Sequence, residues 1–542
     1  MSALLTLCAS SVAVALLVRW YRWYTHRSLK YIRGPQVKSF LLGNVRDFSW
    51  QESVGDLDFK YYEEYGTSWR MQAALGKGVL MTADPKALQH IMHKSGYNYS
   101  KTTQAQVSVL NITGRSIIWA PTADIHSRHR KIMNPAFSAP QLRSFLPMFR
   151  RSSGKLCQQW KDELLHRNSD SLVLPVNKWL ARAALDIIGE AAFDYEFGAL
   201  DNSENEVTKE YDNMFSDSML HLPAWNVVFE GLWTYLPRSL VECIRYMPTR
   251  EYSRFARTLR VVNRVSKQLV EQKSEMLLHG DKTNKDVMSV LVRANASENP
   301  GMKLNDEEMV SQMAALMLAG HETTANTVSW LLWELAKHPE FQEKLRVEIV
   351  QKRSEVIARG DADFAMEELE SMRYLQAAMK ETLRYHNIVY HLFRVAEQDD
   401  IIPLANPIRT KTGEFITEIP VSAGQVVAPN IAVYNRLPEI WGEDAHTWNP
   451  MRHLDEKIDT QIRLGMFGNV MSFSAGLRGC IGWRFSVIEM QAIVADLVEN
   501  FKFSLPDEKP EIIRVPAGVM GPMVRGREHE GMLLPLRVTA VV

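Results

Sequence analysis

Phe473-Ser474-Ala475-Gly476-Leu477-Arg478-Gly479-Cys480-Ile481-Gly482 is a glycine-punctuated loop that brings one cysteine to the start of a helix. Gly476, Gly479 and Gly482 have no Cβ, so the backbone can turn tightly and lie close to a flat ligand. A helix beginning near Gly482 aims its amide groups and the positive end of its dipole at the sulfur, which favours thiolate over thiol. Arg478 adds a positive charge nearby. A thiolate held this way is a soft, strong metal ligand. A purely structural cysteine would lie on an apolar face without glycines on both sides, so Cys480 is the candidate ligand.

Outward from this loop, the 542 residues are 46% apolar, ample for a large core. No low-complexity linker, charge block or internal repeat divides them. Lys plus Arg and Asp plus Glu are 63 each, which argues against nucleic acid as a partner. Cys8, Cys157, Cys243 and Cys480 form neither a disulfide framework nor paired zinc spacing.

The run Ala3 to Val18 is apolar or small and uncharged, and Arg19-Trp20-Tyr21-Arg22-Trp23-Tyr24 follows it. Residues 1–24 are read as a transmembrane anchor with an interfacial aromatic belt. Basic residues lie only on its C-terminal side, which places the body in the cytosol. Residues 25–50 read as a linker and 51–542 as one catalytic domain.

The body is mostly helical, with strand-like pieces near Thr67 to Thr82 and Glu414 to Val427. The turn signal Lys411-Thr412-Gly413-Glu414 suggests a hairpin. One helix is long. Asn305 is a good N-cap with Glu308 three residues on, and the pattern runs to Lys337-His338 before Pro339. About thirty residues span roughly 45–50 Å. Met309 to Ala319 is apolar nearly all round, so this helix should cross the interior.

In its middle lies Ala319-Gly320-His321-Glu322-Thr323-Thr324. A glycine there costs about 1 kcal/mol relative to Ala, and a threonine can bond back to the preceding turn. Two readings stand: an opening for a small ligand served by a hydroxyl and an acid, or close helix packing at a small-residue contact. A zinc-binding His-Glu-x-x-His is excluded because position 325 is Ala. Glu381 and Arg384 share one helix face. His126-Ser127-Arg128-His129-Arg130 is a short basic run, most often a solvated face.

Taken in order along the chain, these stretches resemble the cytochrome P-450 (haem-thiolate monooxygenase) family, in particular its membrane-bound fungal members. The loop matches Phe-x-x-Gly-x-Arg-x-Cys-x-Gly, the long helix matches Ala/Gly-Gly-x-Asp/Glu-Thr-Thr/Ser, and Glu381 to Arg384 matches Glu-x-x-Arg. The resemblance implies a mostly α fold with small β-sheets, haem b held between the long helix and the cysteine loop, and endoplasmic-reticulum membrane attachment. It implies Cys480 as the iron ligand, with Arg130, His126, Arg394, Phe473, Gly476, Arg478 and Gly482 around the haem. Thr323, Glu322 and Gly320 would form the oxygen and proton site. Glu381, Arg384 and Arg452 would form a buried ionic cluster. Ala315, Leu316, Ala319, Val389, Phe393 and Met520 would line an apolar substrate pocket. Met451, and Asn387 with Ile388, stand where the family usually has Glu and two prolines.

The reaction so implied inserts one atom of O₂ into a lipophilic compound of secondary metabolism. Electrons would come from NADPH through a separate flavoprotein reductase docking on Arg128, Lys131 and Arg484, with membrane lipid as a further partner. A haem-thiolate isomerase or lyase, or a non-catalytic haem carrier, are the alternatives. The Gly320, Glu322 and Thr323 set disfavours the first, which needs no proton relay.

Overall fold

The structure is a computed structural model that describes residues 29–201, 206–211, 214–247, 250–279, 286–296, 301, 303–454 and 462–541, with Ala13, Leu16 and Leu17. The helices that position the site are α1 (Thr103–Thr113), α2 (Ala123–Met133), α3 (Ala139–His166), α4 (Val176–Phe193), α5 (Asp306–Lys337), α6 (Arg373–Tyr385) and α7 (Trp483–Asn500). Five short strands, β1 (Ser68–Gln72), β2 (Gly78–Thr82), β3 (Tyr99–Lys101), β4 (Arg394–Ala396) and β5 (Val426–Pro429), form one sheet in the order β1-β2-β5-β4-β3. β2 and β5 run parallel and the other neighbours antiparallel. The expected hairpin is present as Asp400–Arg409 paired with Phe415–Val421.

α5 forms where its capping box predicts. Asn305 Oδ1 accepts from the Glu308 amide at 2.8 Å, and Glu308 Oε2 accepts from the Asn305 amide at 3.0 Å. Its 32 residues cross the interior, about 48 Å at 1.5 Å per residue. Its main neighbour is α4, where Ala184, Ile187 and Ile188 meet Met313, Ala314 and Met317 in one core. α7 is buried on nearly all sides, and Phe485 is met edge-on by Phe137, Phe145 and Phe149.

Two N-terminal expectations change. Among the described residues no helix is long and apolar enough to cross a membrane. The single-pass endoplasmic-reticulum anchor and transmembrane helix are therefore not supported. Residues 1–24, where the sequence places them, lie outside the described residues apart from Ala13, Leu16 and Leu17. The physical weakness is visible in the sequence: the uncharged run is 16 residues from Ala3 to Val18, short of the roughly 20 needed. Nor is 25–50 a linker throughout. Leu29, Ile32 and Asn44 are buried, and Ile32 bridges to Thr410.

α6 carries the ionic cluster. Glu381 receives Arg384 Nε at 2.8 Å and Nη2 at 2.7 Å, Arg452 Nε at 3.1 Å, and the Asn449 amide at 2.7 Å. His453 Nε2 lies 3.0 Å from its other oxygen. Arg384 also donates to the carbonyls of Asn435, Ala445 and Thr447, which ties the loop before Arg452 to α6. Burial pushes the Glu381 pKa up, but the bonds and charges of Arg384 and His453 outweigh it and hold the group at about 2.

The folded pKa of Glu381 lies below its unfolded value of about 4.3. Its contribution is thus complete above that value and lost as pH falls towards about 2. Arg384→Met, which strands the acid, is expected to cost about 3–5 kcal/mol in urea unfolding at neutral pH. Glu381→Gln should flatten the acid limb of the stability curve between about pH 5 and 2; an unchanged limb would show that Glu381 is not linked to folding.

Candidate active site

The cysteine loop is held from both sides. The Cys480 amide donates to Phe473 O at 2.9 Å. Gly476 has φ +65°, and a Cβ there would stand 1.7 Å from the Met92 carbonyl oxygen, so only glycine allows this approach. Arg130 Nη1 donates to Gly479 O. Gly482 caps α7. Cys480 presents accessible surface, and burial pushes its thiol up. The Gly482 amide and Arg130 pull the thiol down but do not outweigh burial. The expected help from Arg478 thus comes from Arg130, and the protein alone does not secure the thiolate. A metal at the sulfur would.

Beside the loop lies buried positive charge. In the β3–β4 register Lys101 stands directly opposite Arg394, a like-charge pairing that destabilises a sheet by itself. Burial, then Arg394 and Arg478, hold Lys101 well below its ordinary value. Burial and Arg478 bring Arg394 down to about 10. His126 falls to about 3 through burial and then the charges of Arg478, Lys101 and Arg130. The charges acting on these three groups are all cationic. Arg478 Nη1 reaches Ala120 O at 3.2 Å, but its buried Nε has no partner. Tyr97 OH lies 3.0 Å from His126 Nδ1. With the phenol donating, the neutral ring carries its proton on Nε2. Such a set calls for an anionic ligand that accepts several hydrogen bonds.

On α5, Ala319 is the one exposed residue between Met309 and Ala336, so the helix turns an open face at the predicted motif. Thr323 Oγ1 donates to Ala319 O at 2.7 Å, the back-bond expected of a helical threonine. His321 Nδ1 donates to Met317 O at 2.7 Å, and its Nε2 is 4.0 Å from Glu322. Glu322 faces Tyr211, whose phenol is raised by burial and then by the Glu322 charge. Gly320 faces elsewhere: a Cβ would meet Ile188 Cγ1 and Cδ1 at 2.7 Å. Of the two readings of this motif, close helix packing describes Gly320 and the opening describes Ala319 and Thr323.

Among the pocket candidates, Ala319 and Phe393 are exposed and Val389 half-buried, whereas Ala315, Leu316 and Met520 are packed away. Arg128 is bound to Glu308 Oε2 at 2.9 Å and Lys303 O at 2.7 Å, and so leaves the expected docking set. Arg484 pairs with Glu370 at 3.3 Å on the surface, and Lys131 is exposed. Lys101, Tyr97 and His453 went unnoticed in sequence. Lys101 carries no motif; its meaning comes from standing opposite Arg394.

The family model described as cytochrome P-450 matches residues 33–523. The chain is 32% identical to cytochrome P-450 monooxygenase 205 of Postia placenta, over 94% of this chain and 92% of that protein. It is 31% identical to a ganoderic acid synthetase of Ganoderma lucidum, over 99% of both. It is 30% identical to cytochrome P-450 monooxygenase claQ of Ampulloclitocybe clavipes, over 94% of this chain and 93% of that one.

The α4–α5 contact yields a test of Gly320. Overpacking costs about 1–3 kcal/mol, against about 1 kcal/mol gained by helix propensity. Gly320→Ala should therefore lose up to about 2 kcal/mol in urea unfolding. Combined with Ile188→Ala it should lose less than the two singles together. Additive losses would show that the methyl group does not meet Ile188.

Proposed function

The chain belongs to the cytochrome P-450 family and is an oxidoreductase of its haem-dependent monooxygenase type, and from that premise we propose how its own residues divide the work. The residues fit haem. Lys101, Arg130, Arg394 and Arg478, with the Nε2 proton of His126, would hold the two propionates, which would supply the negative charge this set lacks. Cys480 would hold the iron, in a loop whose glycines permit close approach. That cation set, buried or half-buried and with no carboxylate against it among the described residues, lies beside a glycine-bound cysteine and is the observation that carries the reading.

Haem, when bound, supplies oxygen binding and the electron density that breaks the O–O bond. Thr323 holds a proton at the open face of α5. Its hydroxyl, now on Ala319 O, rotates to donate towards the oxygen side. Glu322 resupplies that proton, with the bare Nε2 of His321 beside it. Ala319 and Phe393 offer apolar surface, so a lipophilic substrate is favoured. Electrons come from NADPH through a separate reductase, which docks on the face bearing Lys131 and Arg484.

Cys480→His should abolish the red-shifted Soret band of the reduced carbon monoxide complex; retention of the band would remove Cys480 as the ligand. Thr323→Ala should keep that band and still consume NADPH, while product per NADPH falls at least about tenfold and peroxide rises. An isomerase or a non-catalytic carrier would be indifferent to this change. Unaltered coupling would refute the role given to Thr323.

A further inference from the structure

Glu489 has no part in the reaction outlined so far, and its surroundings are unusual for a carboxyl group. It lies on α7, nine residues after Cys480, and is 1% exposed. Its Oε2 is 3.3 Å from Thr324 Oγ1. Thr324 Oγ1 is in turn 3.0 Å from Ser486 Oγ. Its Oε1 is buried without a hydrogen-bond partner. Other buried acids nearby are met by cations: Asp496, on the same helix, has Arg150 at 2.6 Å and Arg353 at 3.4 Å, and Glu381 has Arg384 and Arg452. Glu489 has none of these. Burial raises it well above the usual carboxyl range, and only the Thr324 hydroxyl pulls it down.

An ion with one unsolvated oxygen and no counter-charge is costly to bury. The neutral acid is not, because it can donate to Thr324 while Thr324 donates to Ser486. Thr324 is the residue next to Thr323, and Ser486 stands one turn into α7, the helix that follows Cys480. The three groups therefore join the oxygen-side turn of α5 to the cysteine-bearing end of α7.

We propose that Glu489 is a positioning residue that, as a neutral carboxylic acid acting through Thr324 and Ser486, holds the Thr323 turn of α5 in register with the cysteine-bearing helix. This rests on the reading of Cys480 and Thr323 given under the proposed function. Its protonation is measured directly. The infrared difference spectrum of the wild-type holoenzyme minus Glu489→Gln should contain a carboxylic-acid carbonyl band that shifts in D₂O, present from about pH 6 to 9. Carboxylate bands in its place would overturn the proposal.

Positioning is read from the carbon monoxide complex in mild denaturant. Glu489→Gln, which keeps a neutral hydrogen-bonding group, should lose the thiolate-type Soret band about as slowly as wild type. Glu489→Leu and Thr324→Val should each lose it about fivefold faster, the worth of one hydrogen bond, and release more peroxide per NADPH. Leu behaving like Gln would mean that Glu489 only fills space. Should Glu489→Leu fail to take up haem, Thr324→Val decides: a wild-type rate there overturns the proposal. The infrared band does not depend on the iron ligand. A failed Cys480→His test with the band intact would therefore overturn the functional reading and leave the neutral acid standing.

Discussion

Positive charge gathered beside the cysteine loop, with no carboxylate against it among the described residues, is the constraint around which the rest of the structure is arranged. Lys101 and Arg394 come from paired strands, Arg130 and His126 from α2, and Arg478 from the loop itself. Four separate elements must converge before these groups meet. Burying such a set alone is unfavourable, so a bound dianion would stabilise the folded chain through linkage as well as filling a site. Burial, and then the same charges, keep His126 neutral, which leaves it a hydrogen-bond donor rather than one more cation.

Opposite this charged edge, α5 spends its polar groups differently. Thr323, Thr327 and Ser329 all turn their hydroxyls back onto carbonyls of their own helix. This satisfies them inside an apolar core and leaves Thr323 with a local partner that it can exchange. Glu308 shows the same economy at the helix start: it closes the capping box and also holds Arg128 of α2. One carboxylate thus fixes where α5 begins and how α2 lies against it. The strength of that pairing explains why Arg128 is not left on the surface for a partner.

The ionic cluster behind α6 plays the complementary part. Arg384 satisfies three loop carbonyls that have no strand to pair with, and Glu381 neutralises it. His453, the residue after Arg452, joins as a further donor. Neighbouring His386 stacks on Trp330 at 4.4 Å and pairs with Glu334 at 2.9 Å, pinning α6 to α5. These contacts fix the junction between the two helices.

Local chemistry written in adjacent residues was legible from sequence. The Asn305–Glu308 box set the start of α5, Pro339 its end, and the glycines around Cys480 marked a tightly turning loop. The spacing of Glu381 and Arg384 put them on one helix face, and the resemblance implied the pair that the fold buries. What needed the tertiary structure was every relation between residues far apart in the chain. Only strand pairing sets Lys101 against Arg394, only helix approach aims Gly320 at Ile188, and only the α5–α7 crossing brings Glu489 to Thr324. Periodicity reports which face of an element is apolar. It does not report which partner that face meets, and here the partner decides whether a charge, a small residue or an acid serves packing or chemistry.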